Sequence, residues 1–105
     1  MREVNLVQQN MIDKLPPQNI EAEQSVLGAI IFDNEALPKA IEILSPEDFY
    51  KEPHRRLYRA MCWLFEKNEP IDIVTLNEYL KRNGELEAVG GISYLSYLAN
   101  SVPTS

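Results

Sequence analysis

Helix punctuation constrains this chain more than any other feature. Asn19, Ser45-Pro46, Asp72, Asn83-Gly84 and Gly90-Gly91 recur at short intervals between apolar residues spaced three and four apart. Asn19 suits an N-cap, and Glu21 and Glu23 place negative charge in the first turn, where the helix dipole favours it. Ile20, Leu27, Ile30 and Ile31 form the stripe of that helix, with Gly28 inside it as a point of close packing. Asp33-Asn34 stops it. Leu37, Ala40, Ile41 and Leu44 carry the next stripe, with Pro38 in a first turn where its missing N–H costs no hydrogen bond. Ser45-Pro46-Glu47-Asp48 combines a Ser cap, Pro at the first helical position and an acid three residues after the cap. Phe49 and Tyr50 follow as apolar anchors.

Pro53 ends that short turn and opens a longer helix to about Asn68. Leu57, Met61 and Leu64 form its main stripe. Tyr58, Cys62 and Phe65 widen it, so this helix is expected to be largely buried and central. Asp72 caps a helix carrying Ile73, Leu76 and Leu80, which Asn83-Gly84 ends in a left-handed cap. Leu86 to Val89 reads as a connector. Gly90-Gly91 opens a last helix with Ile92, Leu95, Leu98 and Val102 on one face, and Pro103 stops it. No stretch alternates apolar and polar residues in the manner of a strand. The expected fold is all-α: a compact bundle of five to six short helices over residues 19–105, preceded by a flexible N-terminal arm over residues 1–18, where Pro16-Pro17 forces an extended entry.

Composition narrows the function classes. With 105 residues the chain makes one small domain. Sixteen acidic residues against ten basic ones give a net charge of −6, which argues against a domain whose main task is gripping phosphate backbones. One cysteine, Cys62, excludes an internal disulfide, and one histidine, His54, excludes histidine clusters for metal. There is no apolar run long enough for a membrane span and no basic-then-apolar leader, so a soluble, cytoplasmic protein without membrane contact is expected.

No catalytic constellation emerges. No G-x-x-x-x-G-K-[ST] loop is present to cradle nucleotide phosphates. Gly90-Gly91 reads as a tight turn. The carboxylate pairs Glu21 with Glu23 and Glu47 with Asp48 read as caps and dipole partners. His54 reads as a packed or hydrogen-bonded histidine, and Cys62 as a small buried hydrophobe. The charge pattern is more informative. Lys51, Arg55, Arg56 and Arg59 stand against Glu52 alone between residues 51 and 59, a local charge of +3. Lys51, Arg55 and Arg59 would form one stripe if the helix ran across Pro53, and Trp63 lies one turn beyond Arg59, within reach of a cation–π contact. Lys51, Arg55, Arg56, Arg59 and Trp63 are therefore the candidate partner interface, for an acidic protein surface or, alternatively, for nucleic acid.

Four blocks in order resemble one family. Leu15-Pro16-Pro17-Gln18-Asn19-Ile20-Glu21-Ala22-Glu23-Gln24-Ser25-Val26-Leu27-Gly28 is similar to the opening of the bacterial replicative DNA helicases of the DnaB family. Leu44-Ser45-Pro46-Glu47-Asp48-Phe49-Tyr50 with His54 and Leu57-Tyr58, Pro70-Ile71-Asp72 with Val74-Thr75-Leu76, and Gly90-Gly91 with Tyr94-Leu95 and Pro103 agree with its later blocks. The resemblance covers about residues 15–105 and implies the helical N-terminal domain of such a helicase. It implies that a helical hairpin and a RecA-like motor follow beyond Pro103-Thr104-Ser105. It also implies a hexameric parent that unwinds duplex DNA at the replication fork, binds ATP and Mg in its motor, and engages primase and a helicase loader. The present chain would then have no cofactor and no catalytic residues of its own.

Overall fold

The computed structural model describes residues 15–101. Most of the expected arm, Val102 and the Pro103 stop lie outside them. All regular structure among the described residues is helical: α1 (Ile20–Phe32), α2 (Ala36–Ile41), a 3-10 turn (Pro46–Asp48), α3 (Glu52–Glu66), α4 (Ile73–Arg82), α5 (Leu86–Val89) and α6 (Gly91–Ala99). The expected all-helical bundle is what forms.

Local signals set most boundaries. The Asn19 side chain accepts a hydrogen bond from the Ala22 N–H at 3.0 Å. Asp72 accepts from the Thr75 N–H at 2.9 Å, and the Thr75 hydroxyl accepts from the Asp72 N–H at 3.0 Å, a reciprocal cap on α4. Asp48 accepts from the Ser45 N–H at 2.8 Å. That turn stays three residues long because Phe49 leaves helical geometry (φ −85°, ψ 136°) and enters the core fully buried. Gly90 has φ +109°, and a Cβ there would meet the Tyr94 Cβ at 2.8 Å. The Gly90-Gly91 pair is thus explained by the tight turn from α5 into α6. The expected connector at 86–89 winds into the one-turn helix α5.

Helix α3 is the hub, packing against the 3-10 turn and against α1, α2, α4 and α5; α6 closes the bundle against α1 and α4. Leu27 and Ile30 of α1, Leu37 of α2, Leu57, Tyr58 and Met61 of α3, Leu76 and Leu80 of α4, and Leu95 and Leu98 of α6 are buried together. The Tyr58 hydroxyl donates to the Leu44 carbonyl at 3.0 Å, which satisfies its polar tip inside the core. Leu15 also packs against this core, at the end of the segment read as an arm.

Four expected apolar positions face water instead. Ile41, Tyr50, Phe65 and Ile92 are exposed. As α2 unwinds after six residues, the stripe passes from Ile41 to Ile43 and Leu44. On α3 the stripe is narrower than its sequence suggests, with Cys62 only half-buried.

Candidate functional site

The amino end of α3 is built from groups far apart in sequence. Lys51, the α3 N-cap residue, offers no capping side chain. Glu23 of α1 takes that place. Its carboxylate accepts from the Tyr50 N–H at 2.6 Å and the Lys51 N–H at 3.4 Å. It also meets His54 Nδ1 at 2.7 Å, with both side chains 1% exposed. His54 Nε2 lies 2.6 Å from the Tyr94 hydroxyl, which accepts from Gln24 Nε2 at 3.0 Å. One proton arrangement satisfies every pair: Gln24 donates to Tyr94, Tyr94 to His54 Nε2, and His54 Nδ1–H to Glu23. The rings of His54, Tyr94 and Tyr97 stack in series at 5.8 and 5.9 Å. The His54 expectation is met. Glu23 lies in the first turn of α1, as expected of a dipole partner, and is buried as well, because Glu23, Leu27 and Ile30 share the inward face of the helix.

Within this chain of hydrogen bonds the Tyr94 hydroxyl is not primed as a nucleophile. Burial pushes the Tyr94 hydroxyl above its ordinary range against the opposing Gln24 hydrogen bond, and the nearby Tyr97 and Glu23 push it the same way as burial. A nucleophilic tyrosine needs the opposite shift. The cleft above it, about 380 Å³, is open and lined by Ile20, Lys51, Pro53 and Val89 as well as by Gln24, His54 and Tyr94. Burial also raises the Cys62 thiol, with Glu66 adding to it, so Cys62 is not an activated thiolate. Among the described residues no group of three His, Cys, Asp or Glu could hold a metal ion.

The basic cluster is brought together only in part. Lys51 sits in extended geometry (φ −80°, ψ 131°) ahead of α3, so the 51–55–59 stripe is not one helical face. Arg55 Nε donates to the Phe49 carbonyl at 2.7 Å, Nη2 to the Tyr50 carbonyl at 3.0 Å, and Nη1 to Glu52 at 3.0 Å. Arg56 pairs with Glu52 at 3.2 Å and with Glu85 at 3.0 Å. Arg59 approaches Glu47 at 3.6 Å. The cation over Trp63 is Lys67, with Nζ 5.5 Å from the ring centre, rather than Arg59, and Tyr79 of α4 packs against Trp63 at 4.8 Å. The Arg56–Glu85 pair spans 29 residues and has no local sequence signal.

An all-helical head with a buried polar clamp at the start of its central helix, and a mixed aromatic and charged surface beyond it, is the architecture to be matched. The DnaB-like helicase N terminal domain matches residues 15–105, and the chain belongs to that family. The replicative DNA helicase DnaC of Bacillus subtilis (strain 168) is 55% identical over 93 residues, and DnaB of Geobacillus stearothermophilus is 50% identical over 93 residues. Each alignment covers 89% of this chain and 20% of the relative, so the chain spans about a fifth of the length of these relatives. The crystal structure of the N-terminal domain of DnaB helicase from Mycobacterium tuberculosis superposes with a TM-score of 0.80 at 43% identity. That match covers 85% of this chain and 62% of the other. The chain is a DnaB N-terminal domain of the replicative helicases, with the all-helical fold that goes with it.

Proposed function

We propose that this chain is the assembly and partner-contact domain of a hexameric, ATP-dependent helicase that unwinds duplex DNA at the bacterial replication fork and engages primase. The observation that carries the reading is the family match over residues 15–105 in a chain with no G-x-x-x-x-G-K-[ST] loop. ATP and Mg would be bound by the motor of the parent protein. Primase and a helicase loader are the proposed protein partners, other copies of the chain the proposed assembly partners, and DNA would be met through the whole ring. A cytoplasmic location accords with this role; among the described residues no helix is long and apolar enough to cross a membrane.

A nucleic-acid module using Lys51, Arg55, Arg56 and Arg59 has less in its favour. Arg55, Arg56 and Arg59 each face a carboxylate already, and the net charge of −6 opposes phosphate binding.

Sedimentation across a concentration series, combined with capture of purified primase on the immobilised chain, tests the proposal. Concentration-dependent self-association or primase retention supports it. A strict monomer that retains no primase and binds single-stranded DNA with a steep salt dependence would replace it by the nucleic-acid reading.

A further inference from the structure

The carboxyl end of α3 carries an open notch that the clamp at its other end does not touch. Trp63 and Tyr79 wall it, Glu69 and Glu78 flank it, and its volume is about 120 Å³. That is room for a side-chain head group, since a water occupies roughly 30 Å³ in the liquid. Among the described residues neither Glu69 nor Glu78 has an ion pair, whereas Glu23, Glu47, Glu52 and Glu85 around the start of α3 all face internal cations or N–H groups. Arg82 is the one cation in the lining and Lys67 lies over the Trp63 ring; they equal the two carboxylates in number, yet neither forms an ion pair with them among the described residues. Aromatic faces attract cations, and Trp63 already draws Lys67 to 5.5 Å of its ring centre.

We propose that this notch docks an arginine side chain from a basic segment of a partner protein, its guanidinium held against the Trp63 and Tyr79 rings and paired with Glu69 and Glu78. A planar guanidinium stacks on aromatic faces and is more weakly hydrated than an ammonium, so it loses less on entering a half-enclosed site. The net charge of −6 favours approach of a basic segment. The proposal reverses the partner chemistry read from residues 51–59, where the arginines are already paired within the chain. It supplies a contact for the partner role proposed above and rests on that role only for there being a partner.

Trp63 is the sole tryptophan, so its fluorescence reports from the notch itself. The chain is titrated with the blocked peptide acetyl-Gly-Arg-Gly-amide, with its uncharged citrulline counterpart, and with an oligothymidylate strand. The expected result is a saturable change with the arginine peptide that the citrulline peptide does not give. The double substitution Glu69→Gln/Glu78→Gln should weaken it roughly threefold to tenfold, as for two partly exposed charge pairs. Lys67→Ala, which removes a competing cation, should tighten it. Equal responses to the two peptides, no response to the arginine peptide, or a response that ignores both variants overturns the proposal. A response to the oligothymidylate alone also overturns it, in favour of nucleic acid. Loss of the notch proposal with primase capture or self-association intact leaves the domain's role standing, so the two failures are distinguishable.

Discussion

The two ends of α3 use charge in opposite ways. At the amino end a buried carboxylate, Glu23, gathers two backbone N–H groups and a histidine, and the arginines that follow are held by carbonyls and carboxylates of the same chain. At the carboxyl end, Glu69 and Glu78 stand beside the exposed Trp63 and the half-buried Tyr79 with no ion pair among the described residues. Polar groups that are buried must be satisfied internally, and once satisfied they fix geometry. Polar groups left open on a surface are available to something else. The contrast separates a part of the helix that specifies the fold from a part that can meet a partner, although the sequence makes the amino end the more conspicuous charged surface.

The largest expected effect is at the clamp. Glu23→Ala strips the partner from His54 Nδ1 and from the Tyr50 N–H. It should cost about 3–5 kcal/mol, measured by urea unfolding, because several buried or part-buried donors lose their acceptor at about 1–3 kcal/mol each. Tyr94→Phe keeps the ring and removes only the hydroxyl. Leaving His54 Nε2 and Gln24 without that partner should cost about 1–3 kcal/mol in the same measurement.

A pH effect of intermediate size follows from the buried tyrosines. Burial raises the Tyr58 hydroxyl well above its ordinary range, with Cys62 and Asp48 adding to it, and Tyr94 is raised as well. An acid that ionises more readily unfolded than folded favours the unfolded chain once pH exceeds its unfolded value. Stability should therefore begin to fall above about pH 8.5, where the raised Cys62 thiol ionises first in the unfolded chain, and fall more steeply above about pH 10 as the tyrosines follow, read by circular dichroism across an alkaline series. The smallest effect belongs to the surface. Arg59→Ala, which removes an exposed pair at 3.6 Å, should change stability by less than about 1 kcal/mol. A large loss there would mean that the basic cluster is part of the clamp, and would erase the contrast.

What the sequence revealed tracks the distance over which each interaction acts. Asn19 and Asp72 were legible because a cap and its target lie three residues apart. Gly90 was legible as a turn because backbone conformation is local. The clamp was not legible as a unit: Glu23 and His54 are separated by 31 residues, and His54 and Tyr94 by 40. Its one signal was the position of Glu23 four residues before Leu27 and seven before Ile30, on the inward face of α1. The first-turn position of Glu23 offered a simpler local explanation. Asn34 shows the same limit. It reads as a helix stop, yet its amide donates to the Ile71 carbonyl and accepts from the Ile71 N–H, both at 2.9 Å, tying the end of α1 to the approach to α4. The basic residues 51–59 were conspicuous as a run. The carboxylate of Glu85 that engages one of them comes from another element.

Paired thermal unfolding of Glu23→Ala and Glu69→Gln/Glu78→Gln tests the division of α3 most directly. In a domain of this size each kcal/mol moves Tm by roughly 4–8 °C, so the clamp variant should lose more than about 10 °C. The notch variant, with exposed carboxylates outside any ion pair among the described residues, should stay within about 4 °C of the parent chain. Comparable losses in both, or a stable clamp variant beside an unstable notch variant, would contradict the assignment of one end to the fold and the other to contact.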